Sequence, residues 1–270
     1  MSINERFREL RRRGEGALIG YVTGGDPSLK ISQQIVETIA QVGADIIEIG
    51  VPFSDPIADG PTIQAASNRS LNAGTTPKKI FDIVRETKKR IEIPIALMTY
   101  YNILFKMGVR DFLKKASEHR VDGLIIPDLP IEEATEYREL TEKQGIDTIF
   151  LATPSTSPNR LKDVLDYASG FLYLISVYGV TGKRDDISPL TIQSIKRIKP
   201  YTSGKIPLAV GFGLHKPEHI RSIIGHGADG TIVGSALVKI VENNLDDSIK
   251  LMEEISTLTR NLKSSTLPKK

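Results

Sequence analysis

The chain has 270 residues, 40% of them hydrophobic, a length that suits one large domain or two small ones with a substantial core. Its net charge is only +3 and no basic stripe interleaved with aromatics occurs, which argues against nucleic acid as a partner. With no cysteine, disulfides, thiolate metal sites and a cysteine nucleophile are excluded, and a reducing, cytoplasmic setting is expected.

The N-terminal stretch "MSINERFRELRRRGEG" is charged throughout, unlike a signal peptide, and reads as a helix beginning near Asn4. No apolar run approaches membrane-spanning length, so no membrane association is expected. Eight short runs rich in β-branched residues follow, at 17–23, 45–50, 93–99, 122–128, 147–153, 171–176, 206–212 and 229–235. They are apolar on both faces, the pattern of parallel strands buried on both sides. Between them lie helical segments with clear boundaries. Ile31, Ile35, Val36 and Ile39 share one face before Gly43, while Thr76-Pro77, Ser157-Pro158 and Ser188-Pro189 each set an N-cap residue before a first-turn proline.

Helix alternating with strand, eight times in about 250 residues, predicts an α/β fold, a single (β/α)8 TIM barrel over 1–270 with an extra N-terminal helix. The tail from about Lys263 is expected to fray. Three junctions resemble one another, "VGADIIEIG" (42–50), "RVDGLIIPD" (120–128) and "HGADGTIVG" (226–234). One reused unit would produce this, and so would the ordinary preference of such turns for Gly and Asp. Strand starts fall roughly 22 to 29 residues apart except after strand two, about 49 from Ile46 to Ile95, and after strand six, about 36. Long loops are therefore expected there, at the end of the barrel where this fold builds its sites.

The C-terminal strand ends carry Tyr21, Glu48, Tyr100, Asp128, Tyr173, Gly211-Phe212-Gly213 and Gly234-Ser235. Glycine turns after strands seven and eight are the usual phosphate cradle of such barrels, with free N–H groups and a helix dipole aimed at the anion. Gly179 and Gly182 in "YGVTGKR" could close over the same anion, and the glycines could equally serve only the turns. Glu48 sits inside an apolar strand. It must be either paired with a distant cation or held with a raised pKa, as a general acid or base requires, and its place beneath the long loop favours the second. Asp59 and Asp55 lie in that loop among prolines 52, 56 and 61, where an aspartate can also be a simple turn former. No lysine occupies a strand end to form a Schiff base, and histidines 119, 215, 219 and 226 are not arranged as a metal site. Acid–base work on a phosphorylated substrate, without metal, remains.

The stretch "IEIGVPFSDPIADGPTIQ" resembles the signature of the tryptophan synthase alpha chain family, and the likeness continues through "YVTGGDP", "YYNILFKMG", "PDLP", "GVTGKR", "GFG" and "GSALV". The resemblance implies retro-aldol cleavage of indole-3-glycerol phosphate to indole and glyceraldehyde 3-phosphate in tryptophan biosynthesis. It makes Glu48 the acid and base at indole C3, and Asp59 the holder of the ring N–H. It implies phosphate contacts at Gly182, Gly213, Gly234 and Ser235, beside the Gly211 of the same cradle. It implies an indole pocket of Tyr21, Ile63, Tyr100, Ile125, Leu151, Tyr173, Phe212 and Ile232. Thr181 matches a loop residue closing towards Asp55, and Asp128 one that communicates with a partner. That implied partner is a tryptophan synthase beta chain, in an alpha2beta2 assembly, which holds the pyridoxal phosphate; none is expected in this chain. Val177 and Tyr178 stand where many members carry an arginine and a small polar residue, a departure that bears on loop closure. Other phosphate-binding barrels, such as indole-3-glycerol-phosphate synthase, typically need the strand-end lysine this chain lacks. A barrel kept only to activate the beta chain would not need Glu48 and Asp59.

Overall fold

The computed structural model describes residues 1–176, 187–211 and 213–267. Its strands are β1 (Ala17–Thr23), β2 (Ile46–Gly50), β3 (Ile95–Met98), β4 (Gly123–Ile125), β5 (Asp147–Ile149), β6 (Leu151–Ala152), β7 (Leu172–Ile175), β8 (Leu208–Gly211) and β9 (Gly230–Val233). All pair in parallel in the order β5-β4-β3-β2-β1-β9-β8-β7-β6. The expected fifth strand is the pair β5 and β6, divided at Phe150. Its first half pairs with β4 and its second with β7, and the Phe150 carbonyl accepts the Tyr173 N–H at 3.0 Å. Strands of a closed barrel are tilted, so successive parts of one strand face different neighbours. The barrel of eight strands closes across that division.

The helices are α1 (Ile3–Arg12), α2 (Leu29–Gln41), α3 (Pro61–Asn72), α4 (Pro77–Arg90), α5 (Tyr101–Met107), α6 (Val109–Glu118), α7 (Thr135–Gln144), α8 (Pro158–Tyr167), α9 (Pro189–Thr202), α10 (Pro217–Gly225), α11 (Ser235–Asn243) and α12 (Ser248–Ser264). The three expected Pro starts open α4, α8 and α9, and the Ser157 and Ser188 hydroxyls accept backbone N–H groups there. Strand parity sorts the core. Ile19, Ile46, Ala96, Ile125, Ile149, Ala209 and Ile232 form the inner cluster, while Ile47, Ile49, Leu97, Leu124, Leu174 and Val210 pack outward on the helices. Helix α1 starts with a Ser2–Glu5 capping box and adds Ile3, Phe7 and Leu10 to the inner cluster, plugging one end of the barrel.

The repeated junctions share one device. Asp45 accepts the Leu18 N–H at 2.8 Å and returns its own N–H to the Leu18 carbonyl; Asp122 does the same with Ile95, and Asp229 with Leu208. Ser169 fills this position before β7, its hydroxyl accepting from Thr148 N–H and its N–H donating to the Thr148 carbonyl. Each even-numbered strand of the eight is thus clipped to the odd strand before it. The three aspartates also hold Lys263, Lys88 and Lys199 respectively.

Two expectations are corrected. The long connection after β2 is a loop of residues 51–60 followed by an additional helix, α3, before α4; the extra length is mostly folded. The tail does not fray at Lys263. That residue pairs with Glu15 and Asp45, and Thr266 is buried with its carbonyl accepting Gly16 N–H. The stretch after strand six, including Val177, Tyr178, Gly179, Thr181 and Gly182, lies outside the described residues, as does Phe212.

Candidate active site

The inward parity that fills the barrel also aims a few larger side chains at its C-terminal mouth. Glu48, in the middle of β2, faces inward between outward-facing Ile47 and Ile49. In register beside it are Tyr21 on β1 and Ala96 on β3, the alanine leaving space. Glycines make room for the tyrosines. A Cβ at Gly50 would lie 2.2 Å from Tyr21 Oη, and one at Gly211 2.5 Å from Tyr173 Oη. Gly211 therefore accommodates the Tyr173 ring and does not border the cavity described next.

A cavity opens at this mouth. Tyr21, Ile63, Tyr173 and Ile232 form apolar walls, joined by Met98, which the sequence reading missed although it shares inward parity with Ala96. Gly213, Gly234 and Ser235 border it on another side. Ser235 is the first residue of α11, Gly234 supplies no side-chain cap, and the opening N–H groups of that helix have no intrahelical acceptor, so they suit an anion. Tyr100, Ile125 and Leu151 do not border the cavity; Ile125 belongs to the inner cluster, and Leu151 packs against it.

Glu48 is 1% exposed, and among the described residues neither of its oxygens has a hydrogen-bond partner. Among the described residues the paired alternative therefore finds no cation. Burial first, and the charge of Asp59 second, raise its carboxyl to about 8. A carboxylic acid that keeps its proton at neutral pH can give it away. Asp59 and Gly60 reach the cavity from the end of the loop, just ahead of α3. Burial lifts the Asp59 carboxyl above the usual range, while a hydrogen bond from the Tyr100 hydroxyl works in the opposite direction. That hydroxyl also accepts the Ala58 N–H at 3.0 Å, and Gln64 Nε2 donates to the Asp59 carbonyl at 2.8 Å. Tyr100 thus anchors the loop.

Asp55 is exposed on the same loop, accepting a hydrogen bond from the Ser54 hydroxyl. Asp128 accepts the Tyr101 N–H at 2.9 and 3.2 Å and so fixes the first turn of α5 next to Tyr100. Burial pushes the Tyr21 and Tyr173 hydroxyls well above their ordinary value, which keeps both neutral beside the acids.

Comparison with known proteins finds one family. The family model described as tryptophan synthase alpha chain matches residues 7–267. A tryptophan synthase alpha chain from Methanocaldococcus jannaschii is 48% identical, covering 94% of this chain and 89% of its own. One from Methanosarcina mazei is 45% identical, covering 98% and 94%. Among solved structures, a chain from the tryptophan synthase a2b2 complex of Pyrococcus furiosus superimposes with a TM-score of 0.86 at 41% identity, covering 92% of this chain and 98% of that one. A protein from Aquifex aeolicus does so with a TM-score of 0.89 at 34% identity, covering 99% and 100%.

Proposed function

The chain belongs to the tryptophan synthase alpha chain family, whose reaction is the cleavage of indole-3-glycerol phosphate, and from that premise we propose that Glu48 and Asp59 perform the chemistry in the cavity at the barrel mouth. The observation that carries the assignment is Glu48 itself, a buried acid with no partner among the described residues, facing an apolar cavity and protonated at neutral pH.

Glu48 gives its proton to C3 of the indole ring. Positive charge moves to the ring nitrogen, whose N–H donates to the Asp59 carboxylate. Glu48, now ionised, takes the proton of the hydroxyl on the side-chain carbon bonded to C3. The carbon–carbon bond breaks, its electron pair restores the ring double bond, and glyceraldehyde 3-phosphate leaves as the aldehyde. Tyr21, Ile63, Met98, Tyr173 and Ile232 hold the indole and keep water from Glu48. The phosphate rests on the α11 N-terminus at Gly234 and Ser235 with Gly213. Asp128 carries the state of the site, through α5, to a partner.

The partner is a tryptophan synthase beta chain, which holds the pyridoxal phosphate and receives the indole, in an alpha2beta2 assembly of the cytoplasm. The likeness to a chain of the Pyrococcus furiosus a2b2 complex supports this. Among the described residues no helix is long and apolar enough to cross a membrane. The test is to assay the purified chain for indole release from indole-3-glycerol phosphate, alone and with a matching beta chain. Release that increases with the beta chain is expected; none in either condition overturns the assignment.

A further inference from the structure

Helix α3 is additional to the regular alternation of the barrel, yet Asp59 and Gly60 stand at its start and Ile63 in its first turn. Its N-cap, Gly60, offers no side chain to hold that start. The helix is tied down instead near its other end. Arg69 Nε and Nη2 donate to Oδ1 and Oδ2 of Asp26, at 2.9 and 2.8 Å, in the two-pronged geometry that fixes a guanidinium in direction as well as distance. Asp26, in the loop after β1, is only 2% exposed. Beside it, Ser70 Oγ donates to the Gly24 carbonyl at 2.6 Å.

The receiving loop has no slack. Gly25 has φ +82°, its N–H donates to Ser32 Oγ at 2.8 Å, and a Cβ there would lie 2.2 Å from Thr75 Oγ1. Arg69 Nη1 also lies 4.0 Å from Glu242 on α11, the helix whose first residue borders the cavity. Eight helical steps run from Pro61 to Arg69, a rigid lever of about 12 Å at 1.5 Å per residue, with Asp59 just ahead of its start.

We propose that Arg69, clamped by Asp26, is a positioning residue for Asp59: it fixes the axis of α3 and thereby the place of the Asp59 carboxylate against the substrate ring. The inference rests on the role of Asp59 given above. Because the Asp26 contact is short and two-pronged while the Glu242 contact is long, the effect falls on turnover and not on phosphate affinity.

The experiment compares wild type, R69M, R69K, D26N and the double variant R69M/D26N in indole release, with the beta chain present, at a temperature where circular dichroism shows each fully folded. R69M is expected to lose between about tenfold and about a hundredfold in kcat, the range a displacement near 1 Å produces, with KM changed less than about threefold. R69K keeps the charge but not the fork, so its kcat stays low even where its melting temperature recovers. D26N reproduces the loss, and the double variant is no worse than R69M, as residues acting through one contact require. Should R69M not fold, R69K and D26N are read the same way. Lower melting temperatures with wild-type kcat would make the clamp merely structural and overturn the proposal, as would an R69M loss borne entirely by KM. If wild type releases indole and Asp59→Asn does not, either of those outcomes in the Arg69 variants overturns this inference alone; a wild type that releases none overturns the functional assignment and this inference with it.

Discussion

Asp59 faces the cavity onto which Glu48 opens, and its charge adds to burial in lifting the Glu48 carboxyl to about 8. The two acids thereby divide the work. The fully buried one is assigned the proton given to the ring, and the loop-borne one, whose carboxyl burial raises while a hydrogen bond from Tyr100 acts against that rise, is assigned the ring N–H.

This division sets the pH dependence of turnover. Because Glu48 must start protonated, kcat/KM should decline as pH rises through about 8. Because Asp59 must be ionised, an acid limb should lie above the ordinary aspartate value of 3.8. Rates measured across this range with the free enzyme check both limbs; a profile that stays flat through pH 8 contradicts the assignment of the acid.

The same group makes stability depend on pH. Glu48 holds its proton in the folded protein up to about 8, whereas in the unfolded chain it releases it near 4.5. Between those values the native state binds more protons, so stability contributed by this residue is complete at low pH and is lost as pH rises. At pH 7 the loss is about 3 kcal/mol, at 1.36 kcal/mol per pH unit. Glu48→Gln should therefore unfold at higher denaturant than wild type at pH 8 and lose this advantage at pH 4. Equal differences at the two pH values would show that Glu48 is not the group responsible.

Asp59→Asn keeps the shape of the side chain and removes the charge that meets the ring nitrogen. If that charge stabilises the transition state by about 4 kcal/mol, kcat should fall about a thousandfold. A loss under about threefold would leave Asp59 as a turn former.

On the opposite side of the barrel the clips should affect stability alone. Asp45 is fully buried and binds Leu18 N–H, Arg6 and Lys263, so Asp45→Ala leaves the Leu18 N–H unpaired and Arg6 and Lys263 with Glu9 and Glu15 alone, and should cost about 3 kcal/mol. Ser169→Ala removes only a neutral hydrogen bond to Thr148, worth about 1 kcal/mol. Denaturant titrations rank the two, and the turnover of each folded variant should match wild type. A ranking in reverse would remove the charge argument.

The barrel was legible because burial on both faces writes each strand as an unbroken apolar run, and because Pro77, Pro158 and Pro189 mark helix starts locally. Glu48 stood out for the same reason, a lone acid in such a run. What escaped is what depends on neighbours in space. The division at Phe150 is decided by which strands flank each half. Helix α3 was hidden because "GPTIQAASNRSLN" follows a proline-rich loop and has small residues on its buried face, Ala66, Ser67 and Ser70. Gly211 read as part of an anion cradle, yet the space it leaves is taken by Tyr173, a residue 38 positions earlier. Ser169 was missed as a member of the junction repeat because a hydroxyl there does the work of a carboxylate. Asp26 and Arg69 gave no signal at all, being 43 residues apart and joined only by the fold.

The central claim is that a protonated Glu48 drives the cleavage, and the most direct test is single-turnover indole release from indole-3-glycerol phosphate by wild type and Glu48→Gln, each bound to the beta chain. The amide matches the acid in size but can neither give nor take the proton, so release should fall to background while circular dichroism and beta-chain binding stay as in wild type. Release by the glutamine variant at a rate close to wild type would contradict the account.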